Sequence, residues 1–227
     1  SVALSAGLAA DSASGAGAGA ENKISTQVKS FIENSTGTEV NVVRDITLTA
    51  HDTSTITAFV GAASMAGSIG ALGGNAVSIG VAVANNNIGN EVAAYVTSVT
   101  PTLVSRNLII QAFEDATIKA TSVAASAAVN SNIFGLTISG GGASALNTIN
   151  NSTRAYVSQS TLDLSGNLTV ESRDTSTSTA KVDTLSASAG LFSLSAGGSL
   201  ASATITATIE AYADSSNIDA DGDILIS

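Results

Sequence analysis

The chain repeats itself about every sixty residues, and this periodicity restricts the folds open to it. One aromatic residue recurs at separations of 64, 61 and 56 residues. The recurring aromatics are Phe31, Tyr95, Tyr156 and Tyr212. Self-similarity at such a period is the signature of an array whose neighbouring units share one continuous core. We therefore predict one array over residues 1–227, made of about four imperfect repeats with cores at about 15–60, 74–122, 139–182 and 195–227.

Within each repeat, apolar and polar residues alternate with a period of two. In the segment NEVAAYV, Val92, Ala94 and Val96 share one face, and Tyr95 points the other way. This period is typical of strands with one buried face, whereas a helix has a period of 3.6. The segment KISTQVKSFIENS (23–35) could be a short helix, but its counterparts in the other repeats alternate, so we interpret it as strand.

These patterns predict an all-β fold, a parallel β-solenoid (β-helix) in which equivalent residues of successive coils stack. A stack of two-sheet sandwiches is the structural alternative. Because a solenoid coil usually takes twenty-odd residues, we expect two or three coils in each repeat. The small residues at the inward positions predict a thin interior.

Composition excludes several classes of protein. The chain has 18 acidic and 8 basic residues and no cysteine. A net charge of -10 disfavours nucleic acid as a partner, and the lack of cysteine rules out a disulfide framework. No apolar run approaches the roughly 18 residues of a membrane helix, so we expect no membrane span.

Two columns of equivalent residues are predicted to be structural. Asn22, Asn86 and Asn147 fall at one repeat position with inward parity. They form either an inward ladder of amides or caps at a corner where the strand bends. An isoleucine follows two residues later in each repeat, at Ile24, Ile88, Ile149 and Ile205.

The stretch NIDADGDILIS carries Asp219, Asp221 and Asp223 around Gly222, like the start of a calcium-binding loop. The third repeat has no carboxylate at the positions of Asp221 and Asp223. We therefore predict a tight turn in which glycine supplies a positive φ, with a metal site as the alternative. No cofactor is expected beyond this possible calcium.

A second acidic column consists of Asp52, Glu114 and Asp174. Its parity matches that of the inner residues, yet a buried unpaired carboxylate is costly. We predict a bend that places each acid at a solvated corner, where it accepts local backbone hydrogen bonds. Weak calcium bridging between coils is the alternative.

No residue is predicted to be catalytic. His51 is the only histidine, and its counterparts are Phe113 and Arg173, so its position accepts any large side chain. The carboxylates follow the repeat instead of gathering at one cleft, as a solenoid enzyme would require. We therefore expect no enzyme activity.

The aromatic column faces away from the aliphatic stripe. An exposed row of aromatics could bind a sugar or a partner surface. We favour the other interpretation, a second buried interface in which the Gly/Ala-rich block of each repeat covers the rings.

The repeats, of the form AxNxI…VxAYVxxST…GNLxVxAxDxSTxTA, resemble the β-strand repeats of giant secreted, filamentous-haemagglutinin-like bacterial surface adhesins. The resemblance covers the whole chain and carries over no catalytic residue. It implies a secreted or cell-surface solenoid, a structural or adhesive module of an extracellular filament. The alternative is a module that binds polysaccharide or another surface through its aromatic or Thr-rich face.

The resemblance also bears on partners. The chain begins and ends within a repeat, so we expect an internal fragment of a longer chain, or a protomer capped by neighbouring copies. Further copies or flanking repeats, and cell-surface or polysaccharide ligands, are the expected partners.

Overall fold

The computed structural model describes residues 1–37 and 39–227, which form eighteen β-strands arranged in four coils. The first coil contains β1 (Val2–Ala9), β2 (Ser12–Ile24), β3 (Gln27–Glu33), β4 (Val40–Asn41) and β5 (Ile46–Asp52). The second contains β6 (Thr55–Gly73), β7 (Ala76–Ile88), β8 (Glu91–Thr97), β9 (Leu103–Ser105) and β10 (Leu108–Glu114). The third contains β11 (Thr117–Asn130), β12 (Leu136–Ser158), β13 (Thr161–Leu164) and β14 (Leu168–Asp174). The fourth contains β15 (Thr177–Ala189), β16 (Phe192–Asp214), β17 (Asn217–Ala220) and β18 (Ile224–Ile226).

Every strand pairing in the described part of the chain is parallel and joins successive coils. The four sheets run β1-β6-β11-β15, β4-β9-β13-β17, β5-β10-β14-β18, and a larger one in which β2-β7 and β3-β8 both meet β12, followed by β16. The predicted all-β, parallel solenoid is therefore confirmed. The segment 23–35 is strand, in β2 and β3, as predicted.

Each repeat forms one coil, so the expectation of two or three coils was wrong. Partners lie one repeat apart: Ser12 pairs with Ala76, and Leu136 pairs with Phe192. Strand length explains the difference, because β6 has 19 residues and β12 has 23. At about 3.3 Å per residue, β6 alone is about 60 Å long, so one wide coil takes up the whole repeat.

The cross-section of a coil has two parts. The first, which we call the prism, is enclosed by β8, β9, β10 and their equivalents in the other coils. Its core is aliphatic and fully buried, and includes Val92, Val96, Leu103, Leu108 and Ile110. These side chains supply most of the hydrophobic stabilisation, at about 1.5–3 kcal/mol each.

The second part, which we call the wing, comprises residues 1–20, 61–84, 123–145 and 184–201. Here the long strands such as β6 and β7 pack against each other as two layers with a thin interior of alanine and serine. Ser64 Oγ and Ser78 Oγ form a hydrogen bond of 2.8 Å across the layers, and Ser126 and Ser139 do the same one coil later. Such small side chains bury little apolar area, so backbone ladders and hydroxyl pairs hold the wing together.

The described residues contain no helix long and apolar enough to cross a membrane.

Candidate functional site

Inside the solenoid, the asparagine column forms a hydrogen-bonded ladder. Asn22 Nδ2 donates to Asn86 Oδ1 over 2.8 Å, and Asn86 Nδ2 donates to Asn147 Oδ1 over 3.0 Å. Asn147 Nδ2 donates to the carbonyl oxygen of Thr179 (2.8 Å), which ends the ladder before Ala203. Asn86 and Asn147 are fully buried, so the column is an inward amide ladder and not a set of corner caps. A buried amide without these partners would be costly, so the ladder fixes the register of the coils.

The isoleucine column lies beside this ladder on the same face. Ile88 and Ile149 are fully buried in the alanine-rich core where wing and prism meet, and Ile24 packs against that core. Ile205 is 46% exposed, because among the described strands β16 pairs only with β12. The column therefore has a packing role.

The aromatic column forms a continuous stack on the outer surface. Ring centroids are 5.1 Å apart between Phe31 and Tyr95, 4.9 Å between Tyr95 and Tyr156, and 5.0 Å between Tyr156 and Tyr212. The rings are parallel to within 7°. Residues at one repeat position lie in register in neighbouring parallel strands, about 4.8 Å apart, so stacking is their natural arrangement.

The expectation that the Gly/Ala-rich block covers the rings was wrong. That block lies earlier in the same sheet, on β2, β7 and the first half of β12, beside the aromatic stack and not over it. The rings bury one another instead. Burial raises the pKa of the Tyr95, Tyr156 and Tyr212 hydroxyls, and at Tyr95 a hydrogen bond to Glu33 Oε2 (3.2 Å) raises it further.

The stack presents ring edges to solvent. Within the column, each ring face is covered by the next ring, which leaves one free face on Phe31 and one on Tyr212. A sugar or a second aromatic that stacks on a π-face needs an open face. The stack therefore offers a row of edges and hydroxyl groups, but no extended stacking platform.

The acidic column lies in register at the ends of β5, β10 and β14. Asp52 Oδ1 accepts a hydrogen bond from the backbone N–H of Ser54, and Asp174 Oδ1 accepts one from Ser176, both at 2.8 Å. These two acids cap a bend as predicted. Glu114 departs from the prediction of a solvated corner, because it is only 1% exposed. It lies between Asp52 and Asp174 in the ladder, so neighbouring coils cover it on both sides.

The environment of Glu114 disfavours its charged form. Asn90 Nδ2 donates to Glu114 Oε1 over 3.1 Å, while Glu114 Oε2 has no hydrogen-bond partner among residues 1–37 and 39–227. Burial raises the pKa of Glu114 to about 7, with smaller increases from the charges of Asp52, Asp174 and Asp115, and the Asn90 hydrogen bond opposes this shift. Glu114 is therefore a buried carboxyl group that keeps its proton at pH values where an exposed glutamate has lost it.

A second amide column, which the sequence analysis missed, surrounds this carboxyl group. Asn90 Nδ2 also donates to Asp52 Oδ1 (2.9 Å), and Asn90 N–H donates to Asn151 Oδ1 (3.1 Å). Asn151 in turn lies 3.0 Å from Ser176 Oγ. Aligning the residue two positions after each recurrent isoleucine (Thr26, Asn90, Asn151 and Ala207) would have revealed the column.

The aspartates near residue 220 lie at an exposed turn between β17 and β18. Gly222 N–H donates to the carbonyl oxygen of Gly166 (3.0 Å), and Asp223 N–H donates to Asn167 Oδ1 (2.9 Å). The expected positive φ at Gly222 was wrong: the glycines with positive φ are Gly37, Gly73 and Gly74. Glycine is needed here because a Cβ would overlap Asn167 Oδ1 and the Gly166 backbone of the coil below.

Within the described ranges, no group of three His, Cys, Asp or Glu side chains is arranged to hold a metal ion. This applies both to the acidic column and to Asp219, Asp221 and Asp223.

At the equivalent turn, before β5 and β10, an ion pair joins the first and second coils. Arg106 donates to both carboxylate oxygens of Asp45 over 2.8 and 2.7 Å, and Asn107 Nδ2 donates to the first of them over 2.8 Å. The Arg106 guanidinium holds the pKa of Asp45 down at about 2.

The two remaining surface features are His51 and the outward threonines. His51 is exposed and meets the Phe113 ring edge-on at 6.2 Å, while the Arg173 guanidinium lies 5.3 Å from the same ring. The outward threonine column pairs Thr117 Oγ1 with Thr177 Oγ1 at 3.2 Å. At the next outward position Lys119 interrupts the threonines, so this face is not a regular threonine array.

Comparisons of the chain with protein-family models, with curated proteins and with solved structures find no significant match. The resemblance to adhesin repeats therefore stays a prediction from sequence.

Proposed function

We propose that this chain is a structural module of an extracellular bacterial surface fibre, with a mechanical and adhesive role and no catalysis. The observation that supports this most directly is the continuity of the columns. Amide, isoleucine and aromatic columns each run through successive coils in register, alongside parallel hydrogen bonding in four sheets. Every added coil repeats the same contacts, so the architecture can be extended along one axis.

The dimensions fit a rod of wide layers. Parallel strands are stacked about 4.8 Å apart, so four coils rise only about 19 Å, whereas one coil is about 60 Å across. A broad section made of backbone hydrogen bonds resists bending. The acidic, threonine-rich exterior of the prism keeps such a rod soluble.

Polysaccharide binding through the aromatic column is the weaker candidate. The rings cover one another's faces, so a sugar could stack only at the two ends of the column. A glycan that bound along the column would have to contact ring edges and tyrosine hydroxyls.

Single-molecule force spectroscopy tests the mechanical role. When the chain is pulled from both termini, we expect successive rupture events as coils peel off in turn. Each coil of about sixty residues should release roughly 200 Å of contour length. Featureless stretching without force peaks would contradict the proposal.

Immunogold labelling tests the extracellular role. Antibodies raised against the chain should label surface filaments on intact cells of its source. Labelling confined to the interior of permeabilised cells would exclude a surface fibre.

A further inference from the structure

One face of the wing is apolar, exposed and uncharged. The outward side chains of residues 13–19, 77–83, 138–144 and 194–200 form this surface, which we call the Gly-rich face. Ile79, Val81 and Val83 make an aliphatic ridge along its second coil and are between 39% and 51% exposed. This exposure persists although coils flank the ridge on both sides, so no residue in the described part of the chain covers it. An apolar patch of this kind marks an interaction surface.

The coils on either side of the ridge carry small outward side chains at the matching positions. In the third coil Gly140, Gly142 and Ser144 pair in register with Ile79, Val81 and Val83. They form the floor of a trench whose far wall is Leu200 of the fourth coil. In the first coil the matching residues are all glycine: Gly15, Gly17 and Gly19. At the registers of Ile79, Val81 and Val83, large outward side chains of the second coil therefore alternate with small ones of the first and third coils. In the fourth coil only the last of these three registers carries a large side chain, Leu200, since Ala196 and Gly198 occupy the other two. Beyond them, Val77 lies in register with another large residue, Ile138.

This alternation is complementary to itself. Consider a two-fold axis parallel to the strands, above the face and midway between the second and third coils. It places the second coil of one copy over the third coil of the other without shifting residues along the strands. Val81 then meets Gly142 of the second copy, and the reverse contact forms at the same time, as an isologous interface requires.

The outer coils match in the same way. The axis places the first coil of one copy over the fourth coil of the other, so Leu200 meets Gly19 of the second copy. Aligned face-to-face packing of two sheets is a common arrangement in proteins.

Charge also permits this contact. Asp11, at the wing tip, is the only charged residue among the wing residues, so the Gly-rich face contains none. At the prism end of the face, the nearest charges along its strands are Glu21 and Lys23 of the first coil. The axis places them opposite Ser202 and Thr204 of the second copy, so no like charges meet. A chain with net charge -10 otherwise repels its copies, which makes the neutral face the favoured route of approach.

The area sets the strength of the contact. Four strands at about 4.8 Å by seven residues at about 3.3 Å give roughly 440 Å² on each copy. The total of roughly 900 Å² lies just below the roughly 1,000 Å² of a stable specific interface, so the contact is expected to be weak.

From these observations we propose that the Gly-rich face is a lateral docking surface for a second copy of this chain, with the ridge of each copy seated in the trench of the other. The expected dissociation constant is roughly micromolar to millimolar. The proposal goes beyond the structural role above and does not depend on where the chain acts.

Sedimentation equilibrium on the whole chain and three variants tests this pairing. Gly142→Val fills the trench, and a Cβ at Gly142 has no neighbour within 4 Å in its own chain, so the monomer tolerates it. We expect this variant to weaken dimerisation at least tenfold. Val81→Gly removes the matching part of the ridge and should also weaken the dimer. The double variant exchanges ridge and trench, and should restore the wild-type dissociation constant to within about threefold, with thermal unfolding confirming that all variants fold.

Several results would overturn the proposal. A chain that stays monomeric up to about 1 mM has no such interface. A dimer that Gly142→Val leaves unchanged, or that the double variant does not restore, uses another surface. A monomeric chain that floats with neutral phosphatidylcholine vesicles would show that the face contacts lipid instead of a second copy.

Discussion

Glu114 makes the stability of this protein depend on pH in a direction opposite to that of most carboxylates. Its pKa is raised from its ordinary 4.5 to about 7 in the folded chain. Between these values the folded state keeps a proton that the unfolded state has lost. Because the folded state binds more protons, the free energy of unfolding falls as pH rises through this window. At 1.36 kcal/mol per pKa unit, the loss amounts to about 3 kcal/mol and is complete slightly above pH 7.

Glu114→Gln removes this dependence while preserving the shape of the side chain. The glutamine oxygen can still accept the hydrogen bond from Asn90, and its NH₂ group takes the place of the unpartnered Oε2. We expect the variant to match the wild type near pH 4 and to exceed its free energy of unfolding by up to about 3 kcal/mol at pH 8. Asp45 does not interfere, because its pKa of about 2 places its effect below this window.

Urea denaturation in steps from pH 4 to pH 8 measures the difference. Glu21→Gln is the matched control, since Glu21 is an exposed carboxylate in the same solenoid. Its difference from the wild type should stay within about 0.5 kcal/mol at every pH. If Glu114→Gln also differs from the wild type by the same amount at pH 4 and pH 8, then the pKa of Glu114 is not raised in the folded chain and the reasoning is refuted.

Three further predictions concern the columns and the two parts of the coil. Asn86→Ala breaks two ladder hydrogen bonds and should lower the free energy of unfolding in urea by at least about 2 kcal/mol, whereas Asn85→Ala, at the exposed neighbouring position, should change it by less than about 0.5 kcal/mol. Tyr156→Ala removes two stacked pairs and should cost about 1–3 kcal/mol, while Tyr156→Phe keeps the stack and should cost less than about 0.5 kcal/mol, measured by the same denaturation. Hydrogen exchange followed by mass spectrometry should find slower exchange at Leu108 and Ile110 in the prism than at Ala62 and Ala66 in the wing; equal rates would contradict the division into two parts.

The register of this fold could be predicted from the sequence because a parallel solenoid stacks equivalent residues. Phe31, Tyr95, Tyr156 and Tyr212 could be aligned by eye, and they form one stack. The inward parity of Asn86 was predictable for the same reason, since alternation assigns a face to every residue of a strand. Where a column keeps its chemistry from coil to coil, sequence and structure agree.

The number of coils per repeat could not be predicted, because alternation does not encode where a strand ends. In β6 the pattern continues for 19 residues without a proline or a charged residue to break it. The position of Glu114 was hidden for a different reason. Glu114 is the member of its column that lies between two others, Asp52 and Asp174, so neighbouring coils cover it on both sides, and alternation within one strand does not reveal this.

The wing reverses the usual relation between hydrophobicity and burial. Its two layers approach closely enough for Ser64 and Ser78 to share a hydrogen bond, so the space between them is filled mainly by serine, alanine and glycine. The larger aliphatic residues on the same strands, such as Val81, are therefore forced outward. A positive mean hydropathy of +0.35 would ordinarily indicate a large core. Here part of that hydropathy lies on the surface of the wing, so composition overstates how much the isolated chain buries and accounts for a face that remains open to a partner.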